Sequence, residues 1–300
     1  AAVMLGVFLY IESRSREPIV PLYLFKSRTV TISNLVSFLT GMGMFGSVVF
    51  IPLFFQGVLG ATAFLSGNLM IPQSIAVMIM SIITGQLISR GANSRVMGSA
   101  ATAFICTGLF LLSRQSPASH YWQVVCCNIL LGFGLGMSFP VFTLAIQNSV
   151  DHKVLGAATS SNTFLRSFGG AVGLAILGAI MNNRFYSGFF KQIPDTVRSQ
   201  VPMSELSAMA HNPQALVNPA AQQQLKTMLT QPGMDTSIFN QVMSLLQRAL
   251  SSAITRAFFI GFCILLVGLV ASFFMKYKRV AQAGEMPGID TDEEKTKKSG

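Results

Sequence analysis

The 300-residue chain is 51% hydrophobic and only 11% charged, with a mean hydropathy of +0.55, which excludes an ordinary soluble domain and marks an integral membrane protein. Its net charge of +10 does not point to nucleic acid, because the Lys and Arg residues are scattered along loops and interleave with no aromatic motif. Cys106, Cys126, Cys127 and Cys263 all fall in apolar runs without C-x-x-C spacing; they read as small buried hydrophobes, not as a zinc site or a disulfide framework.

In chain order, residues 1–11 are apolar but amount to about half of the roughly 20 residues needed to cross a bilayer, so they read as the end of a span that begins upstream. Residues 12–29, with Arg14, Arg16, Lys26 and Arg28, form a basic loop. Complete spans are expected at about 30–55, 66–88, 96–112, 121–147 and 156–181. Trp122 sits where an interfacial indole belongs. Residues 182–249 turn polar and rich in Gln, Asn, Ser and Pro, so the chain is expected to leave the membrane there, with short surface helices at NPAAQQQLKTML and SIFNQVMSLLQRAL. A last span follows at about 252–275, and the charged residues 276–300 form a tail.

Counting Lys and Arg in the short loops orients the whole. Alternate loops carry Arg14, Arg16, Lys26 and Arg28, then Arg90 and Arg95, then Lys153, then Lys276, Lys278 and Arg279; the loops between carry only Arg114. The basic set and the C terminus are therefore expected in the cytoplasm, and 182–249 on the opposite side.

Two spans carry a pattern that lipid does not require. Asn128, Gly132, Gly136, Pro140, Thr143 and Gln147 recur every three or four residues and share one helix face, as do Asn162, Arg166, Gly169 or Gly170, and Gly173 on the next span. On the first complete span Ser33, Ser37, Thr40, Met44 and Ser47 follow the same spacing. Small residues let helix backbones approach, and polar ones face a partner helix or a wet cavity; the spacing leaves both readings open. Arg166 lies deepest of the charges. Burying it at mid-bilayer costs about 2.5–3.5 kcal/mol, which argues for a role, although a side chain that snorkels or pairs with an acid elsewhere has the same signature.

None of the eleven acids lies in a complete span, and His120, His152 and His211 have no partner at ligand or triad spacing, so no catalytic residue, metal or cofactor is expected. A polytopic membrane enzyme would gather acids or histidines at one interface, and the spans gather none.

PLFFQGVLGATAFLSGNLMIP, with Pro52, Gln56, Gly60, Gly67 and Pro72, resembles a segment of the fourteen-span drug:proton antiporters of the major facilitator superfamily, the EmrB/QacA type. GQLISRGANSR, with Gly85, Arg90, Gly91 and Arg95, looks like the superfamily's cytoplasmic loop signature, with Ser89 in place of the usual Asp. GFGLGMSFP and GAATSSNTFLRSFGGAVGLAILG are similar to its late spans. The resemblance covers nearly all of residues 12–281. It implies an all-α integral membrane fold: a six-helix C-terminal bundle preceded by the end of one helix, whose first and fourth complete spans line a central cavity, second and fifth gate it, and third and sixth face lipid. It also implies that the carboxylates linked to proton movement belong mostly to a preceding N-terminal half.

The expected function is export of hydrophobic drugs or toxic compounds, cations among them, by proton antiport across a bacterial inner membrane, with two six-helix halves rocking about a midplane site. Ser37, Thr40, Asn128, Thr143, Gln147, Asn162 and Arg166 are the candidate cavity or gate residues, and Gly132, Gly136, Gly169 and Gly173 the packing positions. Partners would be a small hydrophobic substrate, membrane lipid, the N-terminal half and, as the resemblance implies for Gram-negative members, a periplasmic adaptor. Two alternatives stand beside this: an exporter of one specific metabolite, and a non-transporting membrane scaffold that binds a partner through residues 182–249.

Overall fold

A computed structural model of the chain describes residues 27–193 and 236–275, with side chains described from 241 in the second segment. The basic loop up to residue 26, the NPAAQQQLKTML segment and the tail lie outside the described residues. Among the described residues there are six long helices and no strand: α1 (Arg28–Gly57), α2 (Ala63–Ser89), α3 (Ser94–Ser113), α4 (Tyr121–Gln147), α5 (Leu155–Gln192) and α6 (Thr236–Phe273). Each is long and apolar enough to span a bilayer. Helix is the form that satisfies every backbone group internally where no water can. That requirement also explains why α1, α2 and α4 continue through Pro52, Pro72 and Pro140.

Local chemistry sets the turns. Thr62 caps α2 by accepting from Leu65 N at 3.2 Å, and Asn93 caps α3 by accepting from Arg95 N at 3.0 Å. At the end of α2 the Ala92 N–H reaches back to Leu87 O (2.9 Å) and the Gly91 N–H to Ile88 O (3.0 Å), the paired bonds of a Schellman cap. Such a cap needs a left-handed residue, and Gly91 supplies φ +91°. The Arg90-Gly91 pair therefore has a backbone reason to be there, independent of any signature.

Two helices run further than their hydrophobicity indicates. α5 continues as helix past residue 181, where its membrane span was expected to end, to Gln192; SIFNQVMSLLQRAL is not a separate surface helix but the first part of α6. The reason is a shared apolar seam. Met181, Phe185, Phe189 and Ile193 sit at spacings of four, and they join Val242, Leu246, Ala249 and Leu250 in the same buried cluster. The polar residues that had signalled an exit, Asn182, Asn183 and Arg184, are exposed on the other face.

The helices form one bundle in which α1 and α4 are central. α1 packs on α5, α6 and α4, while α4 packs on α2 and α3, and α6 closes the back against α3. Accordingly the apolar stretches of α1 and α4 are the most buried, at 67% and 61%, and that of α2 the least, at 22%. Isoleucines 71, 75, 79 and 82 line an exposed α2 face. Contacts at the two ends fix the threading. Arg28 at the start of α1 lies 5.8 Å from the ring of Phe274 just past α6, and at the opposite end Tyr121 donates to Leu59 O at 2.9 Å.

Candidate functional site

Glycine makes the site possible by letting α1 and α5 touch. A Cβ on Gly41 would fall on the carbonyl of Arg166 and within 3.1 Å of Gly170 N; one on Gly169 would fall on the carbonyl of Phe38. Gly173 packs on the backbone of Met42 in the same seam. With the backbones this close, short polar side chains on the two helices can bond directly.

They do so in one connected chain. Arg166 Nη2 donates to Asn162 Oδ1 at 3.4 Å, and Asn162 Nδ2 donates both to Asn34 Oδ1 at 3.0 Å and to Ser37 Oγ at 2.8 Å. All four residues are buried, Arg166 at 9% exposure and the others at 2% or less. The guanidinium lies over the Phe139 ring of α4, 4.3 Å from its centroid, a cation–π contact of about 0.5–2 kcal/mol. Arg166 thus ties α5 to α4, while Asn162 ties it to α1. At about 1.5 Å per residue it stands roughly 16 Å along α5 from Leu155. Its Nε and the nearby Thr40 Oγ1 are buried without a hydrogen-bond partner among the described residues. Asp151, in the turn before α5, is the one acid among the described residues, so the structure places no carboxylate beside Arg166.

Of the candidate residues, Ser37, Asn162 and Arg166 are brought together, while the Thr40 hydroxyl has no partner among the described residues. Asn34 was not singled out: it lies beside Ser33, which carried the expected stripe but instead donates to Met275 Sδ at the end of α6, 3.3 Å away. An amide within an otherwise apolar run was the available signal.

The α4 stripe divides. Asn128, a candidate cavity or gate residue, is wholly buried in the α2–α4 seam, where Nδ2 donates to Met70 Sδ at 3.4 Å and Oδ1 has no partner among the described residues. Gly132 and Gly136 follow it along that seam, the first with its Cβ direction 2.8 Å from Gln73 O, the second against the carbonyl of Val77. This face of α4 packs against α2. Thr143 is half-buried, and Gln147 donates to Thr159 Oγ1 of α5 at 3.2 Å, bridging the α4–α5 end of the bundle. In the α2–α3 turn Arg90 and Arg95 are exposed, Ser89 donates to Gln86 O of its own helix, and a Cβ on Gly85 would meet open space.

Six bilayer-length helices, two of them central and buried, with a buried guanidinium tied into amides, define a polytopic helical bundle of the kind that membrane transporters use. The chain belongs to the Major Facilitator Superfamily, whose pattern matches residues 7–174. It is similar to the multidrug transporter protein MdtP of Bacillus subtilis (strain 168), 33% identical over 92% of this chain and 51% of that protein. Multidrug resistance protein 3 of the same organism is 29% identical over 95% of this chain and 52% of its own length. A tetracycline resistance determinant of Streptomyces rimosus is 26% identical over 92% of this chain and 80% of its own length. The chain spans about half the length of the two Bacillus relatives.

Proposed function

We propose that this chain supplies one half of an exporter of hydrophobic compounds in the EmrB/QacA-type branch of the superfamily. In this reading the Arg166–Asn162–Asn34–Ser37 network lies on the wall of the substrate pathway, and proton antiport, through carboxylates of a preceding six-helix half, drives transport. The names of the relatives support efflux as the direction. One observation carries the reading: a buried guanidinium inside an apolar helix, bonded to Asn162, which itself bonds to Asn34 and Ser37 of α1. Helix packing alone would be served by leucine, without a burial cost of about 2.5–3.5 kcal/mol, and this supports a role for the charge.

In the intact protein, Arg166→Ala should impair drug efflux while the amount of protein in the membrane stays at the wild-type level, because α5 is still held to α1 by Gly169 and Gly173. Unchanged export at equal expression removes Arg166 from the pathway.

In the proposed orientation the α2–α3 and α4–α5 turns face the cytoplasm and the α3–α4 turn faces outward. A cysteine at Ser116 should react with a membrane-impermeant maleimide in intact cells, whereas one at Asp151 should react only after permeabilisation; both positions are in exposed turns. The reverse pattern inverts the topology.

A further inference from the structure

The exposed face of α6 changes chemistry along its length. Phe259, Leu266, Val267, Val270 and Phe273 are exposed on it, as hydrocarbon asks of a spanning helix. At the same spacing of three or four residues toward the start of α6, the face continues as Arg256, Ser252, Arg248, Ser244 and Gln241, all exposed. The far end of the bundle fixes the height of this change, because Phe274 lies there beside Arg28. From Phe274 to Arg256 the rise is about 27 Å, against a hydrocarbon core about 30 Å thick. Arg256, lying over the Phe259 ring at 5.7 Å from its centroid, therefore stands at the rim of the core.

α5 brings further charge to the same heights. The Cβ direction of Gly261 on α6 lies 3.9 Å from Leu177 Cδ1 on α5, which puts these two residues at one level, and the buried seam that follows joins the end of α5 to the start of α6. At about 1.5 Å per residue, Arg256 and Arg184 stand about 8 and 11 Å beyond that level, and Arg248 and Lys191 about 20 and 21 Å beyond it. The charges thus form two tiers. All four are exposed, and the one acid among the described residues, Asp151, is at the other end of α5. The rule that orients the chain does not account for them, since it counts short loops and leaves this end poor in Lys and Arg.

We infer that this basic face docks on the anionic phospholipid headgroups of the leaflet from which α5 and α6 emerge. Arg184 and Arg256 extend upward from the rim to the phosphates, and Lys191 and Arg248 reach down to them. The lipid is anionic because a zwitterionic headgroup carries its own cation, whereas a tier of positive charge with no acid beside it complements a net negative partner. The inference needs α6 to span a bilayer and does not depend on what the chain transports.

The test titrates the intact protein in detergent with dioleoyl phosphatidylglycerol or dioleoyl phosphatidylcholine, counting bound lipid by native mass spectrometry and reading the thermal midpoint. Wild-type protein should prefer the glycerol lipid and gain stability from it. Replacing Arg184, Lys191, Arg248 and Arg256 together by Gln should weaken that binding at least fivefold, leave phosphatidylcholine unchanged and keep the lipid-free midpoint, because these side chains are exposed. The matching four replacements by Lys or Arg, each exchanging one cation for the other, should retain the preference. If the Gln variant does not fold, salt decides on the wild type: binding that weakens from low to high salt supports the inference, and salt-independent binding overturns it. An equal loss when Arg28, Arg90, Arg95 and Lys153 are neutralised instead would assign the preference to net charge and overturn it. So would inorganic phosphate reproducing the midpoint shift, or a preference that emerges only after Asp195→Asn, Glu205→Gln and Asp235→Asn, which would make the chain's own acids the occupant.

Discussion

Gly169→Leu is expected to abolish recovery of folded protein, while Gly178→Leu, nine residues further along the same helix, leaves it unaltered. The contrast comes from what each side chain would meet. At Gly169 the first carbon already falls on the carbonyl of Phe38, with Phe38 Cα at 3.0 Å, and these are backbone atoms of a central helix that cannot rotate aside. Across the seam, Gly41 stands in the same relation to Arg166 and Gly170, so α1 and α5 are locked in mutual contact and a bulky residue must push them apart along several turns. Overpacking of a filled interior typically costs about 1–3 kcal/mol; with backbone as the obstacle, and the Asn162 bonds to α1 lost with the separation, the upper end or beyond is expected. At Gly178 nothing lies within 4 Å of the added carbon. Thermal midpoints and the monodisperse fraction in detergent read the difference. A wild-type midpoint for Gly169→Leu would show that α1 and α5 do not meet along this seam.

The second large effect is a rescue. Asn162→Leu takes away the one hydrogen-bond acceptor that the described residues offer to the Arg166 guanidinium and releases Asn34 and Ser37 at the same time. Hydrogen bonds to charged groups contribute about 1.5–3 kcal/mol, and a buried cation left without an acceptor adds its own desolvation, so the single variant should lose several degrees of thermal midpoint. Adding Arg166→Met removes the orphaned charge and keeps an unbranched side chain of similar reach over Phe139, so the double variant should be more stable than Asn162→Leu alone. Export should be absent in both. If the two losses of stability simply add, the residues are not energetically coupled and the 3.4 Å contact carries no weight.

These expectations show how differently the parts of this chain were legible. The resemblance to the superfamily was readable in short motifs, and family membership agrees with it. The residues of the buried network were readable only in part. Arg166 and Asn162 were visible because a charge and an amide inside an apolar run have few explanations. The spacing of small and polar residues marks a helix face as buried but does not say against which neighbour: α4 turns Asn128 toward α2, while α1 turns Asn34 toward α5. The same limit hid Gly41, whose significance exists only opposite Arg166 and Gly170.

The sequence by itself determined that this is a membrane protein, where its central spans lie and which faces are not for lipid. A bilayer imposes length and apolarity on each helix separately, so each can be read alone. Tertiary structure decided the pairing of the seams, the union of Arg166, Asn162, Asn34 and Ser37, and the extra turns of α5 and α6. Each of these depends on two segments far apart in the chain, and hydrocarbon gives two apolar helices no preference for one another beyond the fit of their surfaces.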